Sequence, residues 1–230
     1  MNDILSAAGA EVSIIPVMQG EGAMKIDASQ LPDTLPILAL RNAVLFPGAV
    51  FPITIGREKS IRLIQDAEKY NTFIGAVPQN DLSVEDPRKE DLYGYGTVAK
   101  IVKTLEMPDG TMTAILQGFK RFELESIHEY EPYILGRVRY LDDIVPDNDA
   151  PTRMMAESLK EKASQIVRSS SMAPREAVSA LKSIDNFEFL VNFIATTVEV
   201  ENFMDKVELL QFGEIAVRAM RLLAVLDTQV

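Results

Sequence analysis

The 230-residue sequence has no cysteine, one histidine and no apolar run long enough to span a membrane. Without thiols there can be no disulfide, no thiolate metal site and no cysteine nucleophile, which fits a reducing compartment and makes the cytoplasm the expected location. The lone His128 sits beside Glu129 at the end of a predicted strand, without ligand spacing, and is read as a surface residue; no metal site is expected. The first 24 residues contain no Lys or Arg. Neither a secretion signal nor a membrane partner is therefore expected. An excess of positive charge is also missing: the formal charge is -11, which opposes the phosphate neutralisation that nucleic-acid binding needs.

The usual sequence signs of catalysis are equally sparse. There is no G-x-x-x-x-G-K-[ST] phosphate loop and no G-x-S-x-G elbow. Ser and Lys are plentiful, but no spacing singles out a Ser-Lys pair. Gly94-Tyr95-Gly96-Thr97-Val98-Ala99 matches G-x-G-x-x-A, yet a β-rich segment follows where a dinucleotide site needs a helix, so the glycines are read as easing a strand entry. No catalytic residue and no cofactor is assigned to this chain.

What is present is a change of hydrophobic period. Residues 1–34 alternate apolar and breaker residues without a sustained pattern and are read as a flexible leader, with Val12 to Val17 as a candidate edge strand. Residues 35–141 read as short strands: Leu35 to Leu40, Val50 to Ile55, Thr72 to Val77, Gly96 to Leu105, Thr111 to Gln117, Phe119 to Ile127 and Tyr133 to Leu141. One amphipathic helix interrupts them, Arg57 to Tyr70, with Leu63, Ile64, Ala67 and Tyr70 on its apolar face. Pro78 to Asp91 reads as an exposed polar loop. Residues 142–151, with two prolines and four aspartates, read as a linker.

Residues 152–230 switch to the helical period. Successive stripes run through Met155, Leu159, Ala163 and Ile166; Ala177, Val178, Leu181 and Ile184; Phe187, Leu190, Val191, Ile194 and Val198; Phe203, Val207 and Leu210; and Ile215, Ala219, Leu222 and Leu226. Pro174 suits the first turn of the second helix, and Asp185-Asn186 the entry of the third. The last stripe runs to Leu226 without a stop signal, which predicts that the helix continues into a longer protein. Met154, Met155, Met204 and Met220 are read as adaptable core. The expected class is α+β, a strand-rich unit followed by a helical bundle. The charge divides as -4, -1 and -6 over residues 1–34, 35–140 and 141–230, so the strand-rich unit holds most of the basic residues.

The stretch Leu35 to Leu63 carries a family resemblance. Pro36, Leu40-Arg41, Phe46-Pro47, Phe51-Pro52 and Gly56-Arg57-Glu58-Lys59-Ser60-Ile61 fall where the N-terminal domain of Lon, the ATP-dependent serine protease, has them. Gly96-Thr97-Val98-Ala99, Met107-Pro108-Asp109-Gly110-Thr111, Gly118, Arg121 and Ser183-Ile184-Asp185 extend the likeness. The resemblance implies a PUA-like β pseudobarrel with one helix, then a helical bundle, at the head of a homohexamer. ATP and magnesium, and a catalytic Ser-Lys dyad, would belong to later domains of that protein.

Three binding readings follow. The first is recruitment of unfolded or damaged proteins through an apolar patch formed by Leu45, Phe46, Pro47, Phe51 and Pro52, with Leu82, Val84 and Leu92 from the polar loop; the plainer alternative is that these side chains pack inward. The second is RNA binding by Lys100, Lys103, Lys120, Arg121, Arg137 and Arg139, against which the acidic total weighs. The third, a small-ligand pocket at the barrel mouth, rests on fold analogy alone.

Overall fold

A computed structural model describes residues 26–170 and 175–229. The strand-rich part begins with β1 (Thr34–Leu40) and β2 (Val50–Ile55), joined by a turn in which Gly48 takes φ 81°, a value that an L side chain would resist. The helix α1 (Glu58–Tyr70) follows, then β3 (Ile74–Pro78), β4 (Tyr95–Glu106), β5 (Met112–Glu129) and β6 (Leu135–Tyr140). The sheet order is β2-β5-β4-β3-β1-β6, and β5 also pairs with β6, so β1, β3, β4, β5 and β6 close into a ring. Only β1 and β3 among these neighbours run parallel.

The long β5 makes this closure possible. Its first half pairs with β2 and its second half with β6, while β4 pairs with it from Met112 to Glu123. The sequence reading broke this strand at Gly118; the structure runs through it. Gly118 is there for close approach: a Cβ on it would lie 2.6 Å from the Phe46 carbonyl oxygen. Its N–H donates to Ala49 O at 2.9 Å, which fastens the β1–β2 turn across the sheet.

Helix α1 covers the barrel with Leu63, Ile64 and Ala67, all buried against Leu38, Leu40, Ile53 and Ile74. Tyr70, expected on that face, is 65% exposed. It is the last helical residue before the left-handed Asn71, and its ring lies under the Lys69 ammonium instead of in the core.

The helical part comprises α2 (Ala150–Ser169), α3 (Arg175–Lys182), α4 (Phe187–Thr197), the short α5 (Phe203–Val207) and α6 (Ile215–Asp227). The Asn186 side chain caps α4 by accepting from Phe189 N–H, as expected, and the Asp149 carboxylate caps α2 through Thr152 N–H. Pro174 and the Val12–Val17 segment lie outside the described residues. Leu159, Ala163, Leu190, Ile194, Leu210, Leu222 and Leu226 form one core. The stripe of α6 is buried through Leu226.

Val44 and Phe46, from the β1–β2 turn, belong to this helical core. Phe46 N–H donates to the Thr196 hydroxyl at 3.1 Å, and the Arg218 guanidinium stacks on the Phe46 ring. Residues 142–149 connect β6 to α2 as an extended segment whose Ile144 bridges Glu214. Its Asp143 carboxylate accepts from Arg121 Nε at 2.6 Å and Arg218 Nη1 at 3.2 Å, joining sheet and bundle.

Candidate functional site

The barrel wall has one seam. On one side of β1, β6 pairs with Thr34 to Pro36, and the last bond is Ile37 N–H to Ile134 O at 2.8 Å. From Leu38 onward no strand among the described residues covers that edge. Its would-be neighbour, β2, is held to β5 by its other edge. Alternation from Ala49, whose carbonyl faces β5, turns the backbone groups of Val50, Pro52 and Thr54 to the open side. Proline is tolerated there because its missing N–H would have pointed away from the ladder.

A groove of about 660 Å³ occupies this seam. Leu38 to Ala43 form one wall, Phe51 to Gly56 the other, and Arg57, Ser60 and Glu85 its end. Arg57 stands at the N-cap of α1, where it makes no capping bond with its side chain. The guanidinium instead crosses the seam: Nη2 donates to Ala39 O at 2.6 Å, giving that carbonyl the bond a neighbouring strand would have supplied, and Nη1 donates to Gln79 Oε1 at 2.6 Å. Burial, and then the nearby Arg41 charge, push the Arg57 guanidinium below its ordinary value.

The polar loop Pro78 to Asp91 is strapped to the rim of this groove. Gln79, fully buried, donates from Nε2 to the carbonyls of Asp81 and Val84. Arg41 Nη2 donates to Val84 O at 3.1 Å and pairs with the Glu85 carboxylate at 2.9 Å. Lys59, in the first turn of α1, pairs with Asp86 at 3.0 Å, and its ammonium is held above its ordinary value by hydrogen bonds to Glu131 and Asp86.

The predicted apolar patch is split by the fold. Leu45, Phe46, Pro47 and Leu92 are buried and cannot form an exposed surface. Phe46 is taken by the helical core, Leu45 by the barrel, and Leu92 lies at the base of the loop, where it bridges Gln79. Phe51 and Pro52 are half-buried and line the groove; Val84 is half-buried behind its rim; Leu82 is 39% exposed on the strap. Arg41, Arg57, Gln79 and Glu85 were not among the predicted site residues. An arginine at a helix start that lacks Ser, Thr, Asp or Asn was the available signal, since it leaves the side chain free for another task.

The six basic residues offered for RNA do not make an open cationic face. Arg121 is buried on Asp143 and Leu210 O; Lys120 pairs with Asp142; Arg137 and Arg139 pair with acidic neighbours including Glu125 and Glu123; Lys100 lies over the Phe73 ring; Lys103 is exposed. His128 is exposed, and among the described residues no group of three or more metal-ligating side chains converges. No helix among the described residues is long and apolar enough to cross a membrane.

Two further hollows flank the barrel. One, of about 390 Å³, lies between α1, Pro87 and Tyr133; the other, of about 620 Å³, lies at the junction with the bundle beside Arg121 and Asn186. Neither contains a residue of the exposed remainder of the predicted patch.

Known proteins have related sequences and folds. The Lon protease of Flavobacterium johnsoniae is 40% identical over 96% of this chain, and that of Parabacteroides distasonis 41% over 86%. The chain spans 27% and 24% of those proteins, about a quarter of their length. In fold it matches the N-terminal domain of Mycobacterium avium complex Lon protease, with a TM-score of 0.66 over 86% of this chain and all of that one at 15% identity. A Lon N-terminal domain protein from Xanthomonas campestris matches with a TM-score of 0.59, 18% identity, and coverage of 83% of this chain and 97% of that one. Residues 34–228 match the model of the ATP-dependent protease La (LON) substrate-binding domain, and the chain belongs to that family.

Proposed function

We propose that this chain recruits unfolded or damaged polypeptides to an ATP-dependent serine protease, and that the seam between β1 and β2 is where they dock. The observation that carries this reading is the unsealed groove: two strand edges face each other without pairing, and Phe51 and Pro52 stand on one wall. An extended chain fits such a slot, because its apolar side chains meet Phe51 and its backbone meets the open edges. A folded protein offers neither. Selection would then be for unfoldedness rather than for a defined sequence.

The remaining parts of the activity would lie in other domains of the full protein: ATP and magnesium in a motor domain, the Ser-Lys dyad in a protease domain, and six copies in a cytoplasmic homohexamer. The closed ring plugged by α1 supports a PUA-like pseudobarrel, and residues 142–151 would be the joint between that unit and the bundle. Six weak grooves around one entrance would bind an unfolded chain at least about tenfold more tightly than one, because later contacts become intramolecular.

The test is a titration of the chain with a reduced, alkylated protein that cannot fold and with its native form. Binding of the unfolded form only is expected, and Leu82→Asp with Pro52→Asp should weaken it. Equal binding of both forms, or of neither, would defeat the proposal.

A further inference from the structure

The groove has mixed polar and apolar walls and carries unbalanced charge, with Arg41 on one wall and Arg57 and Glu85 at its end. Of the residues lining it, Arg41 and Arg57 are cationic and Glu85 alone is anionic. Arg57 is committed to Ala39 O and Gln79. Arg41 is held differently. Its Nη2 donates to Val84 O and pairs with one oxygen of Glu85, whose side chain is 76% exposed, while its Nε is enclosed and has no acceptor among the described residues. A guanidinium presents Nε and Nη2 side by side, the two-point arrangement that a carboxylate fills best. Glu85 fills half of it, from an exposed position on the rim rather than from the barrel.

We infer that the groove takes extended segments in which an acidic side chain stands among apolar residues, the incoming carboxylate displacing Glu85 from Arg41. This rests on the docking reading above and narrows its substrate class. Charge complementarity selects the occupant: a segment bearing Lys or Arg would meet two guanidinium groups, and a wholly apolar one would leave the Nε of Arg41 without a partner. Glu85 then acts as a resident competitor that keeps Arg41 neutralised when the groove holds no segment.

Two labelled ten-residue peptides test this, alike in apolar residues and differing in one central position, glutamate or glutamine. Fluorescence anisotropy with the 230-residue chain should show roughly tenfold tighter binding of the glutamate peptide, the scale of one charge-assisted pair. Arg41→Gln should abolish the difference and Arg41→Lys should narrow it, since lysine keeps the charge and loses the fork. Glu85→Gln, at an exposed position, should tighten binding of the glutamate peptide. Equal binding of the two peptides would overturn the carboxylate preference and leave the groove standing. A preference that survives both Arg41 substitutions would overturn its assignment to Arg41, and binding of neither peptide would overturn the groove itself along with the preference.

Discussion

Asp143→Asn should separate the sheet from the bundle more sharply than any apolar deletion of similar size. The Asp143 carboxylate, 10% exposed, is shared by two guanidinium groups that are themselves 2% and 0% exposed, so one negative charge balances two buried positive ones. Arg121 has one further acceptor, Leu210 O at 2.6 Å; Arg218 has Phe212 O at 2.6 Å and Asn192 Oδ1 at 2.6 Å. Those bonds survive the substitution, but both charges lose their counter-ion in a largely buried site. Breaking one partner of a buried pair costs about 3–5 kcal/mol. Urea unfolding followed by circular dichroism measures it as a shift in midpoint, and a lower slope would show that the two halves no longer unfold together. Asp142→Asn is the control: that carboxylate is exposed and pairs with Lys120 at the surface, so no measurable change is expected. A loss below about 1 kcal/mol for Asp143→Asn would refute the reasoning and assign the junction to the backbone carbonyls.

Phe46→Ala should lower stability by about 3–5 kcal/mol in the same assay, because the ring is enclosed by the helical core and not offered to a ligand. Gly118→Ala should cost about 2 kcal/mol or more, since the added Cβ meets the Phe46 carbonyl at 2.6 Å and the β1–β2 turn must lift from β5; an unchanged midpoint would show that the turn yields freely. Lys206 gives a pH signature. Its ammonium donates to Thr196 O and Val198 O but is buried, which pushes it down to about 8 from 10.5. Between about pH 8 and 10 the unfolded chain therefore holds a proton that the native chain has released, and stability rises with pH by up to about 3 kcal/mol. Subtracting the profile of Lys206→Met should isolate that rise, and identical profiles would show that Lys206 stays charged.

Much of the architecture could be read from period alone. The stripe of α1 and the alternation in β6 each report one buried side, and the caps at Asn186 and Asp149 mark helix starts that local chemistry imposes. What the sequence could not show was which distant element covers which side chain. Phe46 looked like a patch residue because its own neighbours cannot enclose it; Thr196, which receives its N–H, comes 150 residues later. Asp143 read as one more charge in a polar connector, although in the fold it is the shared partner of Arg121 and Arg218. Gly118 read as a strand break because glycine usually is one, and close approach of a turn leaves no trace in local pattern.

These failures share a cause that bears on how the groove works. The turn from Arg41 to Ala49 begins as a wall of the seam and ends inside the bundle: Arg41, Asn42 and Ala43 line the groove, while Val44 and Phe46 pack among the helices. Leu45 between them turns back into the barrel, and its carbonyl accepts from the Thr97 hydroxyl at 2.6 Å. One wall is thus fixed from three directions, by Thr196 and Arg218 below, by Thr97 and Gly118 alongside, and by the strap at Arg41. The facing wall, β2, has its backbone paired only with β5 among the described residues and packs Ile53 and Ile55 into the barrel core. A segment entering the seam can therefore displace β2 or the strap far more easily than the turn, because moving the turn would open the core that holds Phe46. Local opening follows the element with fewest buried contacts. On hydrogen exchange, binding of an unfolded chain should change protection in β2 and in residues 81–88 while leaving residues 44–49 and α4 as they were. Loss of protection in α4 on binding would mean that the turn transmits the event into the bundle, and the picture of one fixed and one yielding wall would be wrong.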